Sequence, residues 1–162
     1  MEPENLVRPD WSQQSFAYYA TKIEQVLGVS ETASGLSVMR VEILPGMAPP
    51  LHVHTREDEF WIVLRGRLRW WFGGNSLAEC TTQDAGVGAF VAGPRNIPHT
   101  FDTITDTAEV LTVLSPGEME SYFHAVGASP ERHDDENANL MTSYGITVLG
   151  PAPNLHSDRS GS

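Results

Sequence analysis

An all-β barrel or sandwich with short C-terminal helices is the fold class this sequence predicts, and three observations predict it. Short apolar segments alternate with a period of two, they recur between Gly- and Pro-containing turns, and helical spacing enters only after Leu114. The expected organisation is an N-terminal extension packed on the barrel (residues 1–35), a barrel core (36–115), a helical segment (116–150) and a loose tail (151–162).

In SVMRVEIL, Met39, Val41 and Ile43 face one way and Val38, Arg40 and Glu42 the other, the pattern of a half-buried strand. FWIVL (60–64) is apolar throughout, so that strand is expected to be covered on both sides. After Gly66, which suits a tight connection, RLRWWF opposes Leu68, Trp70 and Phe72 to Arg67, Arg69 and Trp71. The GGN at 73–75 marks a turn, and VGAFVA and AEVLTVL supply two more strands. SPGEMESYFHAVG then places Met119, Phe123 and Val126 at helical spacing and ends at Gly127. A second helix is expected from Ser129 as N-cap and Pro130 at its first position, with Gly145 as its stop.

Composition limits the partners. The chain has 162 residues, 40% of them hydrophobic, and a net charge of −11, which disfavours an unspecific nucleic-acid or anionic-membrane surface. A single cysteine, Cys80, allows no internal disulfide and suits a reducing compartment. The acidic, polar start MEPENLVRPDWSQQ has neither a basic nor an apolar leader region, so a cytoplasmic protein is expected.

The chemistry centres on GMAPPLHVHTREDEFWIVLRG (46–66). His52 and His54 stand two apart on a strand and project together, half of a transition-metal site. Glu59 enters an apolar strand, where a carboxylate needs a partner, and a metal ion is one. His99, set by Pro94 and Pro98 at the head of another strand, is the candidate fourth ligand. Glu57 and Asp58 read as a solvated turn, and His124, His133 and His156 as surface residues. Cys80 lies in a polar loop without an evident base. Trp61, Trp70, Trp71 and Phe90 are expected in the core or an interface rather than as a pocket wall.

These residues resemble a known family. Gly46, His52, His54, Glu59 and Gly66 stand at the spacing of the first cupin motif. Gly88, Pro94, Asn96 and His99 follow the second, with Asn96 where glycine is usual and Thr103 where asparagine is usual. Asparagine tolerates a left-handed turn, so the first departure is expected to be mild. The resemblance covers roughly residues 36–115 and implies a double-stranded β-helix, or jelly-roll, barrel. It also implies one divalent metal ion held by His52, His54, Glu59 and His99. The ion so implied would be iron, nickel, manganese, cobalt or copper, with zinc also open, since the sequence does not fix its identity.

The chain looks most like proteins grouped with bacterial quercetin 2,3-dioxygenases, a likeness also carried by PGEMESYFHAVG and YGITVLGPAP near the C-terminus. That likeness implies a mononuclear metal-dependent dioxygenase acting with O2 on a small enolic or phenolic substrate, Glu59 serving as ligand and base. Two alternatives stand beside it. One is a redox-neutral isomerase, cyclase or lyase; the other is a non-catalytic barrel that binds a small ligand. Exposed sheet edges and aromatic residues make a homodimer the expected assembly. Neither nucleic acid nor membrane is an expected partner.

Overall fold

The computed structural model describes residues 7–8, 14–18, 20–32, 35–128 and 134–157. Eleven strands stand in chain order among them: β1 Ser15–Tyr18, β2 Thr21–Leu27, β3 Ser37–Ile43, β4 Leu51–His54, β5 Asp58–Arg65, β6 Arg67–Phe72, β7 Thr81–Gly86, β8 Phe90–Gly93, β9 His99–Thr103, β10 Ala108–Ser115 and β11 Ile146–Gly150. Two helices, α1 Glu120–Ala128 and α2 Asp134–Ser143, come between β10 and β11.

The strands form two antiparallel sheets, ordered β1-β2-β3-β10-β5-β8 and β11-β4-β9-β6-β7. Sequence neighbours such as β4 and β5 therefore lie in opposite sheets, which is how the expected jelly-roll closes. Gly66 makes the tight crossing from β5 in one sheet to β6 in the other, at φ +73°, where an added Cβ would fall 2.3 Å from the Thr107 carbonyl.

Period-two alternation is realised on β3, β5, β6 and β10. Met39, Ile43, Trp61, Val63, Leu68, Trp70, Ala108, Val110 and Leu114 all point between the sheets and are buried. The core has two parts. One gathers Ile43, Trp61, Val63, Leu68, Trp70, Ala85, Ala108 and Val110 inside the barrel. The other joins Ile23, Met39, Leu114 and Ile146 to Met119, Tyr122, Phe123 and Val126 beneath α1.

The structure departs from expectation in four places. The outer face of β5 is only partly covered: Phe60, Ile62 and Leu64 are half-buried, so the strand is not enclosed on both sides. The N-terminal extension contributes β1 and β2, which prolong the first sheet through β3. Gly127 does not end α1, which continues to Ala128; glycine stands there where β1 runs so close that a Cβ would lie 2.2 Å from the Ala17 carbonyl. The segment beyond Gly150 is pinned over residues 151–157 rather than loose: Pro153 is buried, the Leu155 N–H donates to Asp102 Oδ2 at 2.8 Å, and His156 Nε2 lies 2.7 Å from the Thr103 carbonyl. The Ser129 and Pro130 start of the second helix lies outside the described residues, whereas Gly145 follows α2 at φ +79° as its stop.

Candidate metal centre

β4 is an interior strand, paired with β11 on one side and β9 on the other. Its HxH therefore has a fixed register: His52 lies opposite His99, and His54 opposite Ile146. Residues two apart share a face, so both imidazoles enter the space between the sheets. Glu59 enters from the facing sheet, where β5 sets it opposite Gly93 on β8 and Leu114 on β10. Asn96 takes φ 66° in the loop before β9 and donates its N–H to the His54 carbonyl at 2.7 Å, so asparagine does supply the left-handed turn there.

One donor atom from each of His52, His54, Glu59 and His99 lies within 4.8 Å of every other. His52 Nε2 is 3.1 Å from His54 Nε2, and Glu59 Oε2 is 3.2 Å from His54 Nε2 and 3.7 Å from His99 Nε2. The outward ring nitrogens explain why the inward ones converge. His52 Nδ1 lies 2.7 Å from the Pro50 carbonyl and His99 Nδ1 3.1 Å from the Ile97 carbonyl. A carbonyl only accepts, so both rings carry their proton on Nδ1 and turn a bare Nε2 lone pair inward.

Electrostatics show what the cluster lacks. Burial, reinforced by the neighbouring imidazoles of His99 and His54, pushes His52 down to about 3, so it stays neutral. Burial also pushes His54 down, but the carboxylates of Glu57 and Glu59 outweigh it and raise it to about 9. Burial raises Glu59, and the adjacent imidazoles of His54 and His99, His54 foremost, overcome this and hold it below the ordinary carboxylate range. In the metal-free chain a proton on His54 thus sits among inward-facing acceptors. His99 Nε2 is buried with no hydrogen-bond partner among the described residues. Buried lone pairs short of donors cost free energy, and a cation at their common focus removes that cost. Three imidazoles and one carboxylate suit a divalent transition metal, and the donor set fits one.

The walls are apolar and aromatic. Trp61 meets His99 edge-on at a centroid distance of 5.2 Å and packs on Trp70 at 4.5 Å, and Trp70 packs on Phe101 at 4.6 Å. Trp61 and Trp70 are core residues, as expected; Trp71 is half-buried, and Phe90 is 65% exposed. A cleft of about 400 Å³ lies beyond Trp70, lined also by Phe72, Gln83, Ala85 and Phe90, and none of the four donors lines it.

Several residues fall elsewhere than expected. Glu57 is not in a solvated turn: it is 2% exposed, with a carboxylate oxygen 3.7 Å from His54 Nδ1. Asp58 is half-buried in a bidentate pair with Arg95 at 2.7 and 3.1 Å, which holds its carboxyl down at about 2. His156 is half-buried in the pinned tail. His124 is exposed as expected, its ring over Phe16 at 4.1 Å, and His133 lies outside the described residues. Cys80 has only a weak contact from Sγ to the Gly74 carbonyl at 3.7 Å. Glu57 was concealed in the sequence by its setting among Arg56, Asp58 and Glu59; the signal it left is its place two residues before Glu59, in the buried phase that Trp61 and Val63 continue.

Comparison with known proteins agrees with this geometry. Residues 39–115 match the Cupin_2 model, described as a cupin domain. A germin-like protein 3-7 of Oryza sativa subsp. japonica is 30% identical over 104 residues, covering 62% of this chain. The match spans only 44% of that rice protein, so the chain accounts for less than half of its relative's length. Among solved structures, an oxalate decarboxylase variant of Bacillus subtilis superposes with a TM-score of 0.57 at 19% identity, over 91% of this chain and 43% of that one. FeII HppE superposes with a TM-score of 0.56 at 16% identity, over 70% and 62%. At such identities the two structures speak for the fold. No helix among the described residues is long and apolar enough to cross a membrane. With its two motifs, its two-sheet barrel and its buried His/His/Glu/His cluster, the segment 39–115 is a cupin domain.

Proposed function

We propose that the chain is a mononuclear metal-dependent dioxygenase acting on a small enolic or phenolic, flavonol-like substrate. The observation that carries this reading is the convergence of one nitrogen from each of three imidazoles and the Glu59 carboxylate within 4.8 Å, at the edge of an aromatic wall. A divalent metal bound there supplies Lewis acidity toward a substrate oxygen and, if redox-active, a route to O2. The chain's own residues do the rest. His52 and His99, locked by backbone carbonyls, hold their orientation whether or not a ligand enters. Trp61 and Trp70, both 1% exposed, close the inner side of the site against water. Glu59 is ionised and accepts the substrate's hydroxyl proton at a carboxylate oxygen. Its low proton affinity makes it a weak base beside the imidazoles of His54 and His99.

The test combines metal content and oxygen consumption. Protein purified without added metal is analysed by plasma mass spectrometry beside His52→Ala, and oxygen uptake is followed with flavonols and simpler enols. Near-stoichiometric redox metal, lost in the variant, with one O2 consumed per substrate, supports the proposal. Turnover that persists without O2 assigns the barrel to redox-neutral chemistry, and ligand binding without conversion makes it a binding module. We also propose that a second copy covers the half-buried row of Phe60, Ile62 and Leu64 beside exposed Phe90. Monomeric elution at micromolar concentration overturns that assembly.

A further inference from the structure

Glu57 has no role in the fold or in the four-donor cluster, yet it is 2% exposed. Burying a carboxylate is costly unless something compensates it. Its Oε2 has no hydrogen-bond partner among the described residues, and the same holds for His54 Nδ1, 3.7 Å away. These two buried orphans face each other. The other two imidazoles show what such a position does, since each has its Nδ1 backed by a main-chain carbonyl at 2.7 or 3.1 Å, which sends Nε2 inward. His54 differs in having a carboxylate behind it.

We infer that Glu57 is a positioning residue that accepts the Nδ1–H of His54, aims that ring's Nε2 at the bound cation and makes His54 the most strongly donating of the three imidazoles. The separation is about 0.8 Å longer than a charge-assisted N–H···O bond, a gap that a small rotation of either side chain closes. A carboxylate behind a ligating imidazole fixes its tautomer and raises its basicity. The inference rests on the four donors holding a cation and is independent of the reaction they serve.

Cobalt(II) provides the probe. Its affinity for the wild-type chain, Glu57→Gln, Glu57→Leu and His99→Ala is measured by competition with a chromophoric chelator, and the visible d–d bands of each complex are recorded. Circular dichroism checks folding. Glu57→Leu is expected to lose 10- to 100-fold in affinity, on the order found for such outer partners. Glu57→Gln loses less, because its amide oxygen still accepts the Nδ1–H without charge, and both variants shift the d–d bands. If Glu57→Leu fails to fold, Glu57→Gln and the wild type decide. In the zinc-loaded wild type, nuclear magnetic resonance should show the His54 Nδ1–H as a slowly exchanging downfield ring proton that moves in Glu57→Gln. Affinities within twofold of wild type with unchanged bands, or a rapidly exchanging His54 Nδ1–H, overturn the role of Glu57 and leave the cation site standing. A wild-type chain that binds no cobalt overturns both.

Discussion

Gly93→Ala tests how tightly the aromatic wall holds the metal centre. Gly93 ends β8 opposite Glu59 and is not among the residues with positive φ, so its backbone accepts alanine and only space is at issue. A methyl there would lie 2.8 and 2.9 Å from two atoms of the Trp61 ring and 3.2 Å from the Glu59 carbonyl. Ordinary carbon contacts are about 3.5–4.0 Å, so the indole must retreat by roughly 0.6–1 Å. It has little room: Trp61 is 1% exposed and boxed in by Trp70, His99 and Phe101 at 4.5, 5.2 and 6.1 Å. Overpacking of this kind costs about 1–3 kcal/mol. For a chain of this length that lowers Tm by roughly 3–10 °C. Thermal and urea unfolding of the metal-free protein, with Trp61→Phe and the double variant, form a cycle. Phenylalanine vacates the space the methyl needs, so the double variant should be more stable than the sum of the two by about 1 kcal/mol. Because the ring bears on His99, Gly93→Ala should also weaken zinc binding, and Trp61→Phe should restore part of it. A neutral Gly93→Ala, or additivity within about 0.5 kcal/mol, would refute the reasoning.

Three further outcomes are expected. Glu59→Gln should keep part of its metal, measured by chelator competition, and lose far more turnover than affinity; equal losses count against a base role. Asp58 is held down at about 2 by Arg95, so its contribution to stability is complete above the unfolded value near ~3.9 and disappears as pH falls from there to about 2. Urea midpoints of Asp58→Asn should therefore converge on wild type across that acid window and differ above it. Asp102→Ala removes the buried acceptor of the Thr103 and Leu155 N–H groups, both at 2.8 Å, and should cost roughly 2–4 kcal/mol. Limited proteolysis reports it: cleavage should move to residues 151–157, and an unchanged pattern means the tail is held by other contacts.

The Asp102 clamp marks where sequence reasoning ran out. A buried acid that receives main-chain N–H groups 1 and 53 positions away has no local signature. The same holds for β7, whose TTQDAG pairs along the whole of β6 with little apolar content, so no periodicity betrays it. β11 was concealed likewise: ITVLG follows a helix stop, and only its pairing with β4 makes it a strand.

What the sequence by itself determined is whatever depends on short separations along the chain. A spacing of two on a strand puts His52 and His54 on one side, alternation on β3, β6 and β10 selects the inward residues, and Asn96 can take the left-handed turn before His99. Those are consequences of backbone geometry, which acts over a few residues. Only the tertiary structure decided that Glu59 and the histidines arrive from opposite sheets at one focus, and that Trp61 packs edge-on against His99. It alone buried Glu57 against His54 while leaving Asp58, one residue on, paired with Arg95 at the surface. Burial and charge compensation depend on which distant segments pack together, and a one-residue step along β5 exchanges the barrel interior for solvent.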